Sequence, residues 1–486
     1  MKKIVTLLIL AIGIFVFPMV RVEAAYNYTP WNDVVESAEA MTVSHVIDNS
    51  NLVDVNHNRA PILLGDLRDI KYYENKIYIS DASLNKIIIL NDNYEYLGVF
   101  PTLEEDTHKL NTPQGIFLFD GKIYISDTNN FRLAVFDLQT EELVLEVKAP
   151  ESEDLFKTLP FRPTKVVVDR TGRMNLIVQD VFEGIMEFDE TGVFARYFGT
   201  KRLQLSFFES ILYAVASKSQ KAKMALKLQT SFTSIDIDDY GYIYAVSRLD
   251  GSEPVKKINF KGRDILRKTG YVPIVGDSNI QNVNKDVPQG SSTIIDVTVN
   301  DSNNRYSVLD NNRNRIFTYD NEGYLLYISG AKGIQSNKLE APTSLTYQNN
   351  KILVTDNGSK SILVFDETPF GAVVNEATEL YYDMDYENSK VLWEEVLRQN
   401  SNYFLAYARI GKVYLRDGDY QRALENLKLG HDRTNYSYAY EQYRNEKMAN
   451  ILPYVLVVGI IVLGYAVVKS LIASVKREQE GEWWKS

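Results

Sequence analysis

A six-residue stretch, Lys-Ile-Tyr-Ile-Ser-Asp, occurs twice in this chain, at positions 76–81 and 122–127. Degraded copies follow at 175–180, 243–247, 306–310 and 352–356. Repetition of this kind indicates one structural unit that is used several times, because such a unit buries its apolar face only against its neighbours. The sequence therefore predicts six similar units packed side by side.

Each complete repeat contains four short apolar segments. In the first copy these segments begin at Arg68, Lys76, Lys86 and Tyr94, and Asn, Asp or Gly residues separate them. Such residues favour turns, and short segments between them favour antiparallel strands. The first two copies lie 46 residues apart. Four-stranded units at this period predict a six-bladed β-propeller, which we place at residues 25–366.

The sixth unit contains only three strand-like segments, because the pattern becomes helical from Phe370 onward. The segment 41–47 is apolar, precedes the first blade and has no other partner in the repeat scheme. Pairing it as the fourth strand of the last blade would remove two exposed sheet edges. The sequence thus predicts that the N-terminal strand closes the ring.

Both ends of the chain carry apolar segments. Residues 1–24 have a basic start, an apolar run and small residues at the end, which predicts a secretory signal peptide, with an uncleaved anchor helix as the alternative. Residues 451–475 are long enough to cross a bilayer. Together they predict a single-pass protein of the cell membrane, with its bulk extracellular and the tail 476–486 cytoplasmic.

A predicted insertion at about 205–229 separates the third and fourth units. Its apolar residues fit one helical face and its second half is rich in lysine. Two interpretations stay open, a helix that covers one propeller face and a helix that docks on a partner or an anionic membrane.

Residues 370–435 have the spacing of two tetratricopeptide repeats, and 436–449 is predicted to cap them. Small residues would let the paired helices approach, and aromatic and aliphatic residues would fill the space between them. The predicted packing residues are Trp393, Tyr407, Gly411, Tyr414, Tyr420, Ala423 and Leu427.

Composition excludes several classes of function. The net charge of -11 makes nucleic acid an improbable partner, since such binding needs clustered cations. The absence of cysteine excludes thiol catalysis and Cys-ligated metals. The four histidines are scattered and assemble no zinc site, and no phosphate loop or nucleophile elbow is present. We predict no cofactor, although the abundant Asp and Asn leave a hard-cation site open.

A second motif follows the repeated strand. Asp127 is followed by Arg132, and Asp310 by Arg315, in a pattern that resembles the signature of NHL-repeat propellers. The first blade has Asp81 and Lys86 at these places, blade six keeps Asp356, and blade three keeps Asp180 but lacks the basic residue. The order of leader, propeller, tetratricopeptide pair and membrane helix is similar to that of surface proteins of Gram-positive bacteria without an assigned activity. This resemblance implies protein partners, among them components of carbohydrate transporters, and a carbohydrate ligand.

The repeated acidic and basic residues allow two interpretations. Each Asp can accept hydrogen bonds from the amides of its following turn, which needs no ligand. Alternatively, Asp81, Asp127, Asp180, Asp310 and Asp356, with Lys86, Arg132 and Arg315, line a face that binds a partner or sugar.

The fold class that we predict is mainly β, an NHL-type six-bladed propeller followed by a tetratricopeptide pair and one transmembrane helix. Its predicted function is extracellular binding and scaffolding without catalysis. The alternative is a metal-dependent hydrolase or lyase that acts on a sugar derivative in the propeller channel, because amidating lyases and six-bladed lactonases resemble this fold. A role in signalling across the membrane is disfavoured by the short tail, which is too small for a folded domain.

Overall fold

The computed structural model describes residues 25–102, 108–199, 216, 231–248, 250, 252–277, 291–300, 304–479 and 481. The predicted signal peptide lies outside the described residues, as does the predicted insertion helix at about 205–229 apart from Ala216. The chain divides into two compact units, one that ends at Tyr403 and one that begins at Phe404.

The first unit contains a six-bladed β-propeller, which confirms the fold class predicted from the repeats. A hairpin of β1 (Tyr26–Tyr28) and β2 (Val34–Glu36) and the strand β3 (Met41–Asp48) precede the first blade. Blade 1 comprises β4 (Leu67–Tyr73), β5 (Lys76–Asp81), β6 (Lys86–Asn91) and β7 (Tyr96–Phe100). Blade 2 comprises β8 (Pro113–Phe119), β9 (Lys122–Asp127), β10 (Arg132–Asp137) and β11 (Leu143–Val147). Blade 3 comprises β12 (Pro163–Val168), β13 (Met174–Val178), β14 (Ile185–Phe188) and β15 (Phe194–Phe198).

The second half of the ring follows the same antiparallel order. Blade 4 comprises β16 (Ser234–Ile237), β17 (Ile243–Val246) and β18 (Val255–Ile258). Blade 5 comprises β19 (Ile294–Asn300), β20 (Arg305–Asp310), β21 (Arg315–Asp320) and β22 (Leu325–Ser329). Blade 6 comprises β23 (Pro342–Gln348), β24 (Lys351–Asp356) and β25 (Ser361–Glu367), with β3 as its fourth strand.

Strand β3 closes the ring from the N-terminal side. It pairs antiparallel with β25, with Ile47 opposite Ile362 and Val43 opposite Phe365. The innermost strands of the six blades contact one another in order, and β23 contacts β4. Closure protects the backbone groups that a free edge strand would expose.

The apolar core is divided into layers between neighbouring blades. The layer at the closure joins Ile77 and Ile79 of blade 1 to Leu353 and Val364 of blade 6, all fully buried. Each such side chain contributes about 1.5–3 kcal/mol through burial, an upper estimate because an unfolded chain is already partly collapsed. Packing between neighbouring blades therefore contributes to the stability of the propeller.

Blade 4 departs from the repeat in the structure as it does in the sequence. The described residues give it three strands, where each of the other blades has four. Ser247 stands in place of the repeated Asp, and its hydroxyl donates to the Ser231 carbonyl over 2.8 Å. A single hydroxyl replaces the several bonds that a carboxylate makes elsewhere in the ring.

The N-terminal hairpin is fixed to the propeller through Asp277, which is 1% exposed. The Tyr26 hydroxyl donates to its carboxylate over 2.7 Å, and the Tyr28 hydroxyl also donates to it. Arg313 forms an ion pair with the same carboxylate, with 2.9 Å between Nη1 and Oδ2. Burial, together with the Asp277 charge, raises the pKa of both tyrosines above the ordinary value, so both hydroxyls remain donors.

Two helices follow the propeller within the first unit, α1 (Pro369–Tyr382) and α2 (Tyr386–Gln399). The Thr368 side chain caps α1 by accepting from the Gly371 amide over 3.1 Å. A Cβ on Gly371 would lie 1.9 Å from the Ala40 carbonyl oxygen, so glycine permits this helix to approach the chain before β3. Tyr403 donates to the Leu326 carbonyl over 2.6 Å and ties the end of this segment to blade 5.

The second unit contains α3 (Phe404–Arg416), α4 (Tyr420–Leu429) and α5 (Arg433–Gln479). The boundary between the two units falls between the two predicted tetratricopeptide repeats. Helix α5 continues through the predicted cap at 436–449, the predicted span at 451–475 and the start of the predicted tail. No glycine or turn separates these segments, and Pro453 lies inside the helix. Among the described residues, α5 is the helix long and apolar enough to cross a membrane, and none of its apolar window is buried.

Candidate functional site in the propeller channel

Four of the five repeated aspartates are buried at the ends of the second strands of their blades. Asp81 accepts from the Gly65 amide over 2.7 Å and from the Ser83 amide over 2.9 Å. Asp356 accepts from the Ala341 amide over 2.9 Å and from the Gly358 amide over 2.8 Å. Each carboxylate thus joins its own turn to the incoming inter-blade loop.

Asp127 and Asp310 have the same role, and Asp180 is the exception. Asp127 accepts from the Asn111 amide over 2.7 Å, and Asp310 from the Thr293 amide over 2.6 Å. Burial raises the pKa of Asp310, and the bonds from turn amides oppose that rise. Asp180 is exposed and has a positive φ of 63°, so blade 3 lacks this buried junction.

The predicted basic residues contact groups of their own blades or of the adjoining loops. Lys86 donates to the Pro101 carbonyl over 2.6 Å. Arg132 pairs with Asp127, with 2.8 Å between Nε and Oδ2, and with Glu146 at 3.2 Å. Arg315 donates to the Gly330 carbonyl over 3.2 Å and lies 4.7 Å from the centre of the Tyr26 ring. These contacts hold separate turns and loops, and they do not gather the basic residues at one site.

The predicted helical packing residues lie in both units. In the first unit Trp393 is 1% exposed and stacks on Tyr403, with 6.0 Å between ring centroids. In the second unit a Cβ on Gly411 would lie 2.7 Å from Leu427, so the small residue permits close approach of α3 and α4. Ala423 and Leu427 are fully buried with Ala439 of α5, and Tyr414 packs against them. Tyr407 and Tyr420 are half-buried.

Sequence reasoning missed a set of residues that the inner strands place around the propeller axis. Each blade contributes one residue of its inner strand to this set. In five blades it is the third residue of that strand, and in blade 4 it is the first residue of β16. The six residues are Asp69, Gly115, Lys165, Ser234, Asp296 and Ser344. We call them the axial ring.

Lys165 is the centre of the axial ring. Its Nζ lies 2.7 Å from Asp69 Oδ1 and 3.2 Å from Asp296 Oδ1. The ammonium therefore joins blade 3 to blades 1 and 5. Both carboxylates are 2% exposed, and the lysine side chain is 13% exposed.

Hydroxyls and amides occupy the other acceptor positions of the two carboxylates. Ser344 Oγ contacts both, at 2.8 Å from Asp69 Oδ1, and the Ser234 hydroxyl donates to Asp296. The Ile116 amide donates to Asp69 over 2.9 Å, and the Leu345 amide donates to Asp296 over 2.9 Å. A buried polar network contributes to a unique fold when its members are satisfied in this way.

Gly115 supplies the space for this arrangement. A Cβ at this position would lie 2.6 Å from the Lys165 Cα and 3.2 Å from the Lys165 Cδ. The first distance is too short for a real contact with backbone. Glycine in blade 2 therefore lets the lysine of blade 3 reach the axis.

A second ion pair lies two residues further along the inner strands, between Lys71 of β4 and Asp236 of β16. Lys71 Nζ is 2.9 Å from Asp236 Oδ1, and the Val299 amide donates to Asp236 Oδ2 over 3.0 Å. The Lys71 ammonium is also 6.0 Å from the centre of the Phe117 ring. Blades 1, 4 and 5 are thus joined a second time across the channel.

The neighbouring charges keep Lys165, Lys71 and Asp296 in their charged forms. Burial lowers the pKa of Lys165, but the Asp296 and Asp69 carboxylates raise it by more, so the net shift is upward. The pKa of Lys71 is raised in the same way by Asp236 and Asp69 against the effect of burial. Burial raises the pKa of Asp296, but Lys165 and the serine hydroxyls lower it by more.

This chemistry suits a fixed polar plug across the channel. The lysine ammonium occupies the position between two carboxylates where a cation would bind, and a lysine held in its charged form does not act as a base. Across the residues that the structure describes, no group of three or more His, Asp or Glu side chains is arranged to hold a metal ion. The signal that could have revealed the axial ring is a charged residue at the same position of otherwise apolar inner strands.

Comparisons with known proteins concern the fold alone. No protein-family model and no curated protein matches the chain. Solved structures do resemble it, among them a protein of unknown function from Bacteroides thetaiotaomicron, at 13% identity and a TM-score of 0.42 over 69% of this chain and 78% of that one.

Two other solved structures illustrate the range of these matches. A catalytically inactive virginiamycin B lyase from Staphylococcus aureus with quinupristin has 10% identity and a TM-score of 0.40, covering 71% of this chain and 96% of that one. The Cps50 (Swd1) propeller domain of Myceliophteria thermophila has 11% identity and a TM-score of 0.38, covering 68% of this chain and all of that one. Fold and site together define a six-bladed propeller with an ion-paired channel and a helical C-terminal region.

Proposed function

We propose that this chain is a membrane-anchored binding and scaffold protein without catalytic activity. The observation that carries the proposal is α5, which extends from the packed helices of the second unit into an apolar segment that none of the described residues buries. An apolar helix face of this length is stable in a bilayer and costly in water. The propeller and helices are then interaction modules held at the membrane.

The channel supports the non-catalytic part of this proposal. In a metal-dependent propeller hydrolase or lyase, carboxylates at the axis would hold the ion and expose it to substrate. Here Asp69 and Asp296 are engaged by Lys165, two serine hydroxyls and backbone amides. Their acceptor positions already serve the contact between blades.

The finer identity of the modules belongs to the same proposal. We infer that the blades are NHL-type repeats and that α1 to α4 form the tetratricopeptide pair. We place the propeller on the extracellular side of the cell membrane, because the N-terminal 24 residues have the pattern of a signal peptide. The proposed partners are membrane proteins such as transporter components, and the proposed small ligand is a carbohydrate.

Mild crosslinking in native membranes, followed by affinity purification of the full chain, tests the proposal. The expected result is recovery of a defined membrane protein together with this chain. Recovery of the chain alone, at crosslinker levels that capture a known complex from the same membranes, would reject the scaffold function.

A further inference from the structure

An open groove of about 740 Å³ lies between blades 2 and 3, at the end of the propeller where the inner strands finish. Its floor is apolar and includes the buried residues Tyr124, Val135 and Met174 together with the half-buried Leu145. Grooves of this size accept a ligand of several residues or a drug-sized molecule. We call it the blade 2–3 groove.

Two tight turns of blade 3 form one wall of the groove. Each has a glycine at positive φ, Gly172 at 82° and Gly192 at 86°, and each places a threonine at the groove. The corresponding turns of blade 4 carry Tyr240 in place of Thr171 and Phe260 in place of Glu190. The smaller Thr171 therefore leaves space at this wall of the groove that a tyrosine side chain would reduce.

Exposed apolar side chains surround the groove on the same face. Val144 and Val193 flank it and are 48% and 61% exposed, and the neighbouring turns of blade 4 present Tyr240 at 85% and Phe260 at 70%. Blades 3 and 4 are joined there by the ion pair of Arg170 with Asp239 at 3.1 Å. Clustered exposed apolar residues around a groove are typical of protein interaction sites.

The charges on the groove walls discriminate between classes of ligand. Asp120 and Glu190 are acidic, while Lys122 and Arg170 are basic, and all four line the groove. A polyanion would meet two carboxylates, and a polycation would meet two cations. Mixed charge is complementary to a peptide, whose backbone dipoles and side chains present both signs.

The other half of this face already holds segments of the same chain. Helix α1 begins where β25 ends, beside the turn of blade 6, and Asn350 in that turn donates to Glu367 over 3.2 Å. Tyr327 of blade 5 donates to Asn375 of α1 over 3.0 Å. Helix α1 therefore covers blades 5 and 6, and among the residues of the first unit that the structure describes, the turns of blades 2 to 4 stay exposed on this face.

We propose that the blade 2–3 groove binds an extended peptide segment of a partner protein, which inserts one apolar side chain against Leu145 and Met174. Val144 and Val193 contact the residues on either side of that anchor. This inference rests on the proposed scaffold function and names the place on the propeller where a protein partner binds.

The test uses a photo-crosslinking amino acid in the full chain in native membranes. It is placed at Val144 or Val193, and for comparison at Leu63 or Ile334, which are 57% and 85% exposed. The comparison residues lie in loops before the inner strands, at the opposite end of the propeller. The proposal predicts that one polypeptide is captured from 144 and 193 and not from 63 or 334.

A pair of matched variants makes the test independent of the probe. Thr191→Arg places a long cation in the groove, and Asn93→Arg makes the same change at the corresponding exposed turn position of blade 1. Blocking an anchor pocket reduces binding by about tenfold or more, so Thr191→Arg should reduce capture by that factor and Asn93→Arg should not. Equal melting temperatures of the two variants exclude loss of fold as the cause, and Val193→Asp serves if Thr191→Arg does not fold.

The outcomes separate the groove from the scaffold function. If non-specific crosslinking captures a partner but positions 144 and 193 do not, or if Thr191→Arg captures as much partner as wild type, the groove proposal is overturned and the scaffold function stands. If no method captures a partner, both are overturned.

Discussion

Replacing Lys165 with methionine would remove the ammonium at the centre of the axial ring while keeping most of the side-chain volume. Asp69 and Asp296, each 2% exposed, would then lose their shared cation. Removing one partner of a buried ion pair costs about 3–5 kcal/mol, because the other charge stays buried without compensation. We therefore expect Lys165→Met to lower the free energy of unfolding by about this amount.

The assay is urea denaturation of the detergent-solubilised full chain, followed by the circular dichroism of the strands. Lys148→Met is the matched control, because Lys148 is 66% exposed and pairs with Glu146 at 2.7 Å. An exposed pair contributes about 0–1 kcal/mol, so the control should change stability little. Equal losses in the two variants would refute the idea that the axial ring joins the blades.

The pH dependence of the same variant provides an internal check. Because the folded pKa of Asp296 lies below its ordinary value, this group adds stability above about pH 4 and loses that contribution as the pH falls further. Without Lys165, the buried carboxylate would have a raised pKa and would accept a proton at higher pH. The stability deficit of the variant should therefore shrink on acidification, and a deficit independent of pH would contradict the electrostatic explanation.

Three further predictions address closure, packing and anchoring. Deletion of the segment that precedes Asp48 removes β3 and should abolish cooperative melting of the propeller, and unchanged melting would show that blade 6 does not need this strand. Gly371→Ala forces a Cβ to 1.9 Å from the Ala40 carbonyl oxygen and should lower the melting temperature, whereas Gly98→Ala, with no atom within 4 Å, should not. Leu463→Lys in the apolar segment of α5 replaces a favourable residue with a costly one and should cost about 3–4 kcal/mol of membrane insertion, which increases the fraction of chain in carbonate extracts, and an unchanged fraction would argue against a membrane span.

The propeller was predictable because its information is local and repeated. The identical strands at 76–81 and 122–127 define a blade, and the helical pattern after Phe370 reveals that the last blade lacks a strand. The structure pairs β3 with β25 at that place. The structural role of the buried aspartates was also predictable from the sequence, since an Asp before a turn has a local partner in the amides of that turn.

The axial ring was not predictable from the same reasoning. Asp69, Lys165 and Asp296 are separated by about a hundred residues each, and only ring closure brings their side chains within 3.2 Å. A local pattern does not say which inner-strand residues of different blades meet across the channel. The continuous helix α5 was divided in the prediction for a related reason, because a change from polar to apolar composition was interpreted as an element boundary.

The measurement that tests the central claim most directly is native mass spectrometry of the full chain extracted from its own membranes in mild detergent, without crosslinker. A binding and scaffold protein should appear as a particle that contains this chain and a second polypeptide in fixed ratio, with no divalent metal in stoichiometric amount. A particle that contains this chain alone, with one tightly held divalent metal per chain, would contradict the account and favour the metal-dependent enzyme.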